Sequence, residues 1–118
     1  RAAWLDAAGV DRATTRAALA AASADALRET ITGAADADVD AACARVPIEA
    51  VVAAGGPEAV AYLGRLRHIA LAVDGDDVRR VAGVEGAEIG RLLVELRRAR
   101  IDGSVADDRD AQLAWLAP

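Results

Sequence analysis

Asp36, Asp38 and Asp40 form the densest group of potential metal ligands in this sequence. A pair of carboxylates at i and i+2 can hold magnesium when a strand places both on one face. The flanking residues, Gly33-Ala-Ala before and Ala-Ala-Cys43 after, are helical in character. On a helix, positions i and i+2 diverge, and no Gly-Ser phosphate loop precedes the group. A calcium loop fails as well. Position six is Ala41 where glycine is needed, and position twelve is Pro47 where glutamate is needed. The aspartates read as the acidic first turn of a helix, matched to its dipole. His68, the only histidine, has no second histidine or cysteine with which to form a base–nucleophile pair. Cys43 is the only cysteine, so no disulfide closes within the chain and no cysteine-based metal site is possible. It reads as a small core residue. No phosphate-binding Gly-x-x-x-x-Gly-Lys loop and no Gly-x-Ser-x-Gly elbow occurs. The sequence contains no catalytic centre and no metal site.

The stretch from Asp74 to Trp115 stands out from this background. Gly75, Gly83, Gly86, Gly90 and Gly103 punctuate it. Gly83-Val84-Glu85-Gly86 spaces two helices as the turn of a helix–hairpin–helix module does, where amides at a helix start can hold a phosphate. The same spacing also describes a tight interhelical turn, with Gly83 as C-cap and Gly86 and Gly90 allowing close helix contact. Arg67, Arg91, Arg97, Arg98 and Arg100 are candidate phosphate contacts, of the kind that position a nucleic acid without reading its sequence.

The elements that would carry these residues are helices. Asp11 can cap a helix over about 12–22, Ser23 or Asp25 a second ending near Gly33, and Asp36 a third to about Arg45. Pro47 suits the start of a fourth, ending at Gly55-Gly56. Pro57 opens the longest, with Val60, Leu63, Leu66, Ile69, Ala70 and Val73 as one apolar stripe and His68 beside it. Asp74-Gly75 is a turn, Asp76 caps a short helix to Val81, and Gly83 ends it. The helix 87–100 buries Ile89, Leu92, Leu93 and Leu96; Arg91 and Glu95 pair across one turn, and its last turn is basic. Ile101-Asp102-Gly103 stops it, and a final helix, 107–116, turns Leu113 and Leu116 inward. No alternating strand pattern appears. The expected fold is all-α, a compact array of six to eight short helices in one domain over 1–118. Its first part, 1–45, is alanine-rich, and its second, 46–118, is glycine-punctuated.

Composition agrees. Hydrophobic residues make up 54% of 118, but Phe and Met are absent, so Leu, Val, Ile and Ala must build the core, with Trp4 and Trp115 as bulky exceptions. Alanine is the best helix former. All 14 basic residues are arginine, and 19 acids give a net charge of −5, unlike a free-standing nucleic-acid binder. The interval 60–100 is mildly positive. No uninterrupted apolar stretch of about 18 residues occurs, so no transmembrane helix is expected, and the N-terminus has no signal-like apolar core. A cytoplasmic protein is expected. The first residue is not Met, and the chain reads as a piece of something longer.

The second part resembles the C-terminal helical body and tail of class II tRNA nucleotidyltransferases and their bacterial poly(A) polymerase relatives. That family has an apolar residue before Gly-x-Asp-Leu, then Gly-x-Pro-Gly-Pro-x-Ile-Gly, then Leu-Asp-Gly. Val73, Gly75, Asp77 and Val78 match the first segment. Gly83, Gly86, Ile89 and Gly90 match the second, and Ile101, Asp102 and Gly103 the third. Pro47-Ile48-Glu49 and Tyr62-Leu63-Gly64-Arg65-Leu66-Arg67 resemble the preceding helices. The resemblance covers about 45–116. Both prolines of the family turn are replaced, by Glu85 and Ala87, which sets a negative charge where a phosphate would lie and leaves the packing role of the glycines.

The resemblance implies a parent enzyme that adds nucleotides, CCA or A, to tRNA 3′ ends, using Mg2+ with CTP and ATP in an N-terminal catalytic head outside this chain. The helices would then hold the acceptor and T arms of tRNA through backbone contacts by the five arginines. The alternative expectation is a structural module that packs on its parent or forms a homodimer, without touching RNA. Neither reading involves a membrane.

Overall fold

The computed structural model describes residues 12–118. Trp4, expected in the core, and Asp11, expected as a cap, lie outside the described residues. Among the described residues all regular structure is helical. The elements are α1 (Arg12–Ile31), α2 (Asp36–Cys43), α3 (Ile48–Ala54), α4 (Gly56–Gly64), a 3-10 turn (Leu66–His68), α5 (Gly75–Ala82), α6 (Ala87–Ile101) and α7 (Arg109–Leu116). The all-α expectation therefore holds. The chain divides into two compact units, one ending at Arg67 and one beginning at His68.

In the first unit α1 packs on α2 and α3, and α4 packs on both of those helices. Ala24, Leu27 and Ile31 recur at helical steps on α1 and are buried. They share the unit's buried set with Ala37, Val39 and Cys43 of α2, Ala50, Val51 and Ala54 of α3, and Ala59 of α4. Alanine at so many of these positions keeps the helices close. Arg28 closes the end of α3: its Nε donates to the Ala54 carbonyl (2.9 Å) and its Nη2 to the Ala53 carbonyl (3.2 Å). These are two of the carbonyls that a helix end leaves without an intrahelical partner.

Several expected boundaries move. The two helices expected before Gly33 are one, Arg12–Ile31; no Gly or Pro interrupts it, and Ser23 and Asp25 sit inside it. Asp36 is not a cap. Ala35 takes that position, and Asp36 is the first helical residue. That helix ends at Cys43, short of Arg45. Pro47 is the residue just before α3, in an extended conformation.

The largest correction concerns the helix expected from Pro57 to Val73. It ends at Gly64, and Arg65 leaves helical geometry at φ −136°. The stripe does not face one way. Val60 is 67% exposed while Leu66 is fully buried. His68 accordingly lies in the exposed 3-10 turn rather than beside an apolar helix face.

In the second unit α5, α6 and α7 pack on one another around Val73, Val78, Leu96, Val105 and Leu116. Ile89, Leu92, Leu93, Leu113 and Trp115 lie partly buried against that cluster. Asp74, not Asp76, caps α5, and Asp108 caps α7, which starts two residues later than expected. Leu96 has no exposed surface and Val94 is 59% exposed on the same helix. Leu96→Ala is expected to destabilise by about 2–5 kcal/mol, and Val94→Ala by no more than about 0.5 kcal/mol, as measured by urea unfolding followed by circular dichroism. Equal losses would contradict the assignment of the α6 inner face.

Candidate functional site

The polar centre of the second unit is Asp77. With Asp74 it forms a reciprocal cap at the start of α5. The Asp77 N–H donates to Asp74 Oδ1 and the Asp74 N–H donates to Asp77 Oδ2, both at 3.0 Å. Arg109 of α7 then grips the same carboxylate with both prongs of its guanidinium, Nη1 to Oδ2 at 3.0 Å and Nη2 to Oδ1 at 2.8 Å. Arg80 adds a third side-chain donor at 2.7 Å. The Asp77 side chain is only 8% exposed, so its charge depends on these donors. The Arg109 guanidinium first, and the Asp74 amide next, hold its carboxyl far below the usual carboxylate range against the opposing effect of burial.

A second set of bonds runs from α6 and α7 to the irregular segment 69–74. Arg109 Nη1 donates to the Ala72 carbonyl (2.9 Å), and the Ala72 N–H donates to Gln112 Oε1 (2.8 Å). Arg97 Nη1 donates to the Ile69 carbonyl. Gln112 is fully buried, and its Nε2 donates to the Ala106 carbonyl at 3.4 Å. Side chains thus satisfy backbone groups that the expected helix would have paired in its own ladder.

The glycine turn has the expected form. Gly83 adopts a left-handed conformation (φ 69°) as the C-cap of α5, and Gly86 precedes α6 at φ 61°. Gly103 follows α6 at φ 86°. The proposed packing role of Gly86 and Gly90 is not what the structure shows. A Cβ at either would meet nothing within 4 Å, whereas one at Gly75 would come 3.4 Å from the Ile89 side chain. Gly75 is the first residue of α5 rather than part of a turn.

The five candidate arginines differ in their surroundings. Arg67 is exposed in the 3-10 turn of the first unit. Arg91 is held by Glu88 (2.6 Å) and Glu95 (2.7 Å); the pairing keeps Glu88 below the usual carboxylate range and Arg91 firmly protonated. Arg97 is committed to Ile69. Arg98 is half-buried and near enough to Asp102 to favour its ionised form. Arg100 reaches Asp107 at 3.6 Å, and its Nε is buried without a hydrogen-bond partner. The sequence reading missed Arg109 and Gln112. Their signal was their place on α7, three residues apart and so on one face.

The aspartate cluster is dispersed as a helix requires. Asp36 is exposed and pairs with Arg65 at 2.7 Å, Asp38 is exposed, and Asp40 is buried. Among the described residues no group of three or more His, Cys, Asp or Glu side chains is placed to hold a metal ion. Cys43 is buried, and that burial, with Asp40 nearby, pushes its thiol up from the ordinary value. No described helix is long and apolar enough to cross a membrane. No family model, no curated protein and no solved structure matches the chain.

Two outcomes follow from these environments. The folded-state pKa of Asp77 lies below its unfolded value of about 3.9, so its contribution to stability is complete above that pH and is lost as pH falls further. The thermal midpoint should drop between about pH 4 and pH 2, and Asp77→Asn should lower the midpoint at pH 7 while flattening that acid limb. An unchanged limb would show that other carboxylates carry it. Cys43 should react with a thiol reagent only on unfolding, so rapid native-state labelling would contradict its burial.

Proposed function

We propose that this chain is a helical RNA-positioning part of a class II tRNA nucleotidyltransferase, or of a bacterial poly(A) polymerase relative, whose chemistry resides in a head outside this chain. The observation that carries the reading is the pair of positive-φ glycines, Gly83 and Gly86, that turns the chain from α5 into α6. They fall where the resembling family has glycines, and a side chain at either position would be strained. Asp77, the matching acid of the Gly-x-Asp segment, supports it from the other end of α5. The Mg2+, CTP and ATP implied by the resemblance find no fitting ligand set at Asp36, Asp38 and Asp40, whose side chains have separate environments. The reading therefore assigns this chain no part in phosphoryl chemistry.

On this reading the arginines contribute unequally. Arg91 is already balanced by two glutamates, and Arg97 is bound to a carbonyl. Arg67, exposed in the 3-10 turn, remains the stronger candidate for phosphate contact. A structural or dimerisation module is the second reading. It draws support from this same internal use of arginine and from the net charge of −5.

Titration of labelled tRNA with the chain should show weak binding that falls steeply with salt. The variant Arg67→Glu should weaken it several-fold at low salt and reduce the salt slope by about one, while Arg91→Gln leaves it nearly unchanged. No binding by the wild-type chain, together with a dimer mass by light scattering that tRNA does not alter, would favour the second reading.

A further inference from the structure

The segment 69–74 is the path by which the chain enters the second unit, and it has no ladder of its own. Its hold on the unit combines the buried Val73 and the half-buried Leu71, both against the core cluster, with side-chain bonds to its backbone. Gln112 accepts from the Ala72 amide, Arg109 donates to the Ala72 carbonyl, and Arg97 donates to the Ile69 carbonyl. At its end, Asp74 caps α5 and is joined through Asp77 to the same Arg109. The neighbouring residues Ala70 and Ala72 are exposed. A peptide strap with no backbone ladder, fastened by two apolar side chains and a few side-chain bonds, opens at lower free energy than the helices around it.

From this we infer that segment 69–74 is a releasable strap and that Arg109 and Gln112 are its clasp. The strap opens in a local step distinct from unfolding of the α5–α6–α7 core. Arg109 couples the two ends of the device. One guanidinium holds both the strap, at Ala72, and the cap of α5, at Asp77, so an opening that withdraws Arg109 loosens the start of α5 as well. Opening frees about six residues of chain, a reach of roughly 20 Å when extended, ahead of the helix that leads into the glycine turn. The inference stands on these bonds alone and does not depend on the proposed RNA role.

Native-state hydrogen exchange of the whole chain, read by NMR at single amides, tests this. In the wild type the Ala72 amide should be protected, yet exchange faster than the amides of Val81 in α5 and Leu96 in α6. Gln112→Leu removes the acceptor and should speed Ala72 exchange about five- to tenfold beyond any change at Leu96. Because Gln112 is buried, Arg109→Met serves as the second variant. Its side chain is half exposed, and it should speed exchange at Ala72 and at Asp77 while Leu96 changes less. If Ala72 and Leu96 exchange at one rate in the wild type, or shift together in Arg109→Met, the strap has no separate opening and the inference fails.

Discussion

The second unit is organised by one carboxylate that α5 and α7 both need. Asp77 closes the cap of α5, receives the fork of Arg109 from α7, and takes a further bond from Arg80. An ionised carboxylate with so little exposed surface is unfavourable by itself. Its donors must therefore come as a set, and that requirement fixes where α7 lies against α5. Hydrophobic burial around Val78, Leu96 and Leu116 is not directional. It would accept several angles between short helices. The bidentate pair accepts few, because both prongs of a planar guanidinium must meet both oxygens. Apolar contact supplies the driving force here, and Asp77–Arg109 supplies the register.

Arginine does the same work elsewhere in the chain. Arg28 closes the carbonyl end of α3, Arg65 ties the end of α4 to the first turn of α2, and Arg97 holds the strap. The sequence has no lysine, so every cation carries a fork of donors. Short alanine-rich helices bury little area each and leave many backbone groups at their ends. Long forked side chains reach those groups. The same economy subtracts from any electrostatic surface, because a guanidinium bound to a carbonyl or shared between glutamates offers less to a phosphate.

How much of this could be read beforehand depends on the range of the interaction. Helical class, the turn at Gly83–Gly86 and the inner face of α6 follow from local rules, and the sequence states them plainly. The aspartates at 36, 38 and 40 were legible as a helix start for the same reason, since period 3.6 separates i from i+2. The strap was not legible. Leu66, Ile69, Ala70 and Val73 mimic a continuing stripe, and no local rule says that the Ala72 amide will prefer a glutamine forty residues away. Asp76 was read as the cap and Asp74 as part of a turn, yet Asp74 caps α5. The reciprocal Asp74–Asp77 cap is a local pair, to which Arg109 of α7 adds a tertiary hold that the sequence does not show. Gly90 misled in another way. Its spacing suggested close helix packing, but the position beside it is open.

The glycine turn and the arginines therefore carry different kinds of information. A positive φ at Gly83 and Gly86 constrains the backbone wherever such a turn occurs, whether or not a ligand follows. Taken alone it describes how two helices are joined. The acid at Asp77 makes the combination narrower, because it spends a buried charge to hold the helix that leads into the turn. Firm support on the α5 side, with Glu85 and Val94 left on the outer surface, suits an element whose outer face meets something else. In the proposed reading that partner is RNA, approached along the arginines rather than through the turn itself, where Glu85 would repel a phosphate.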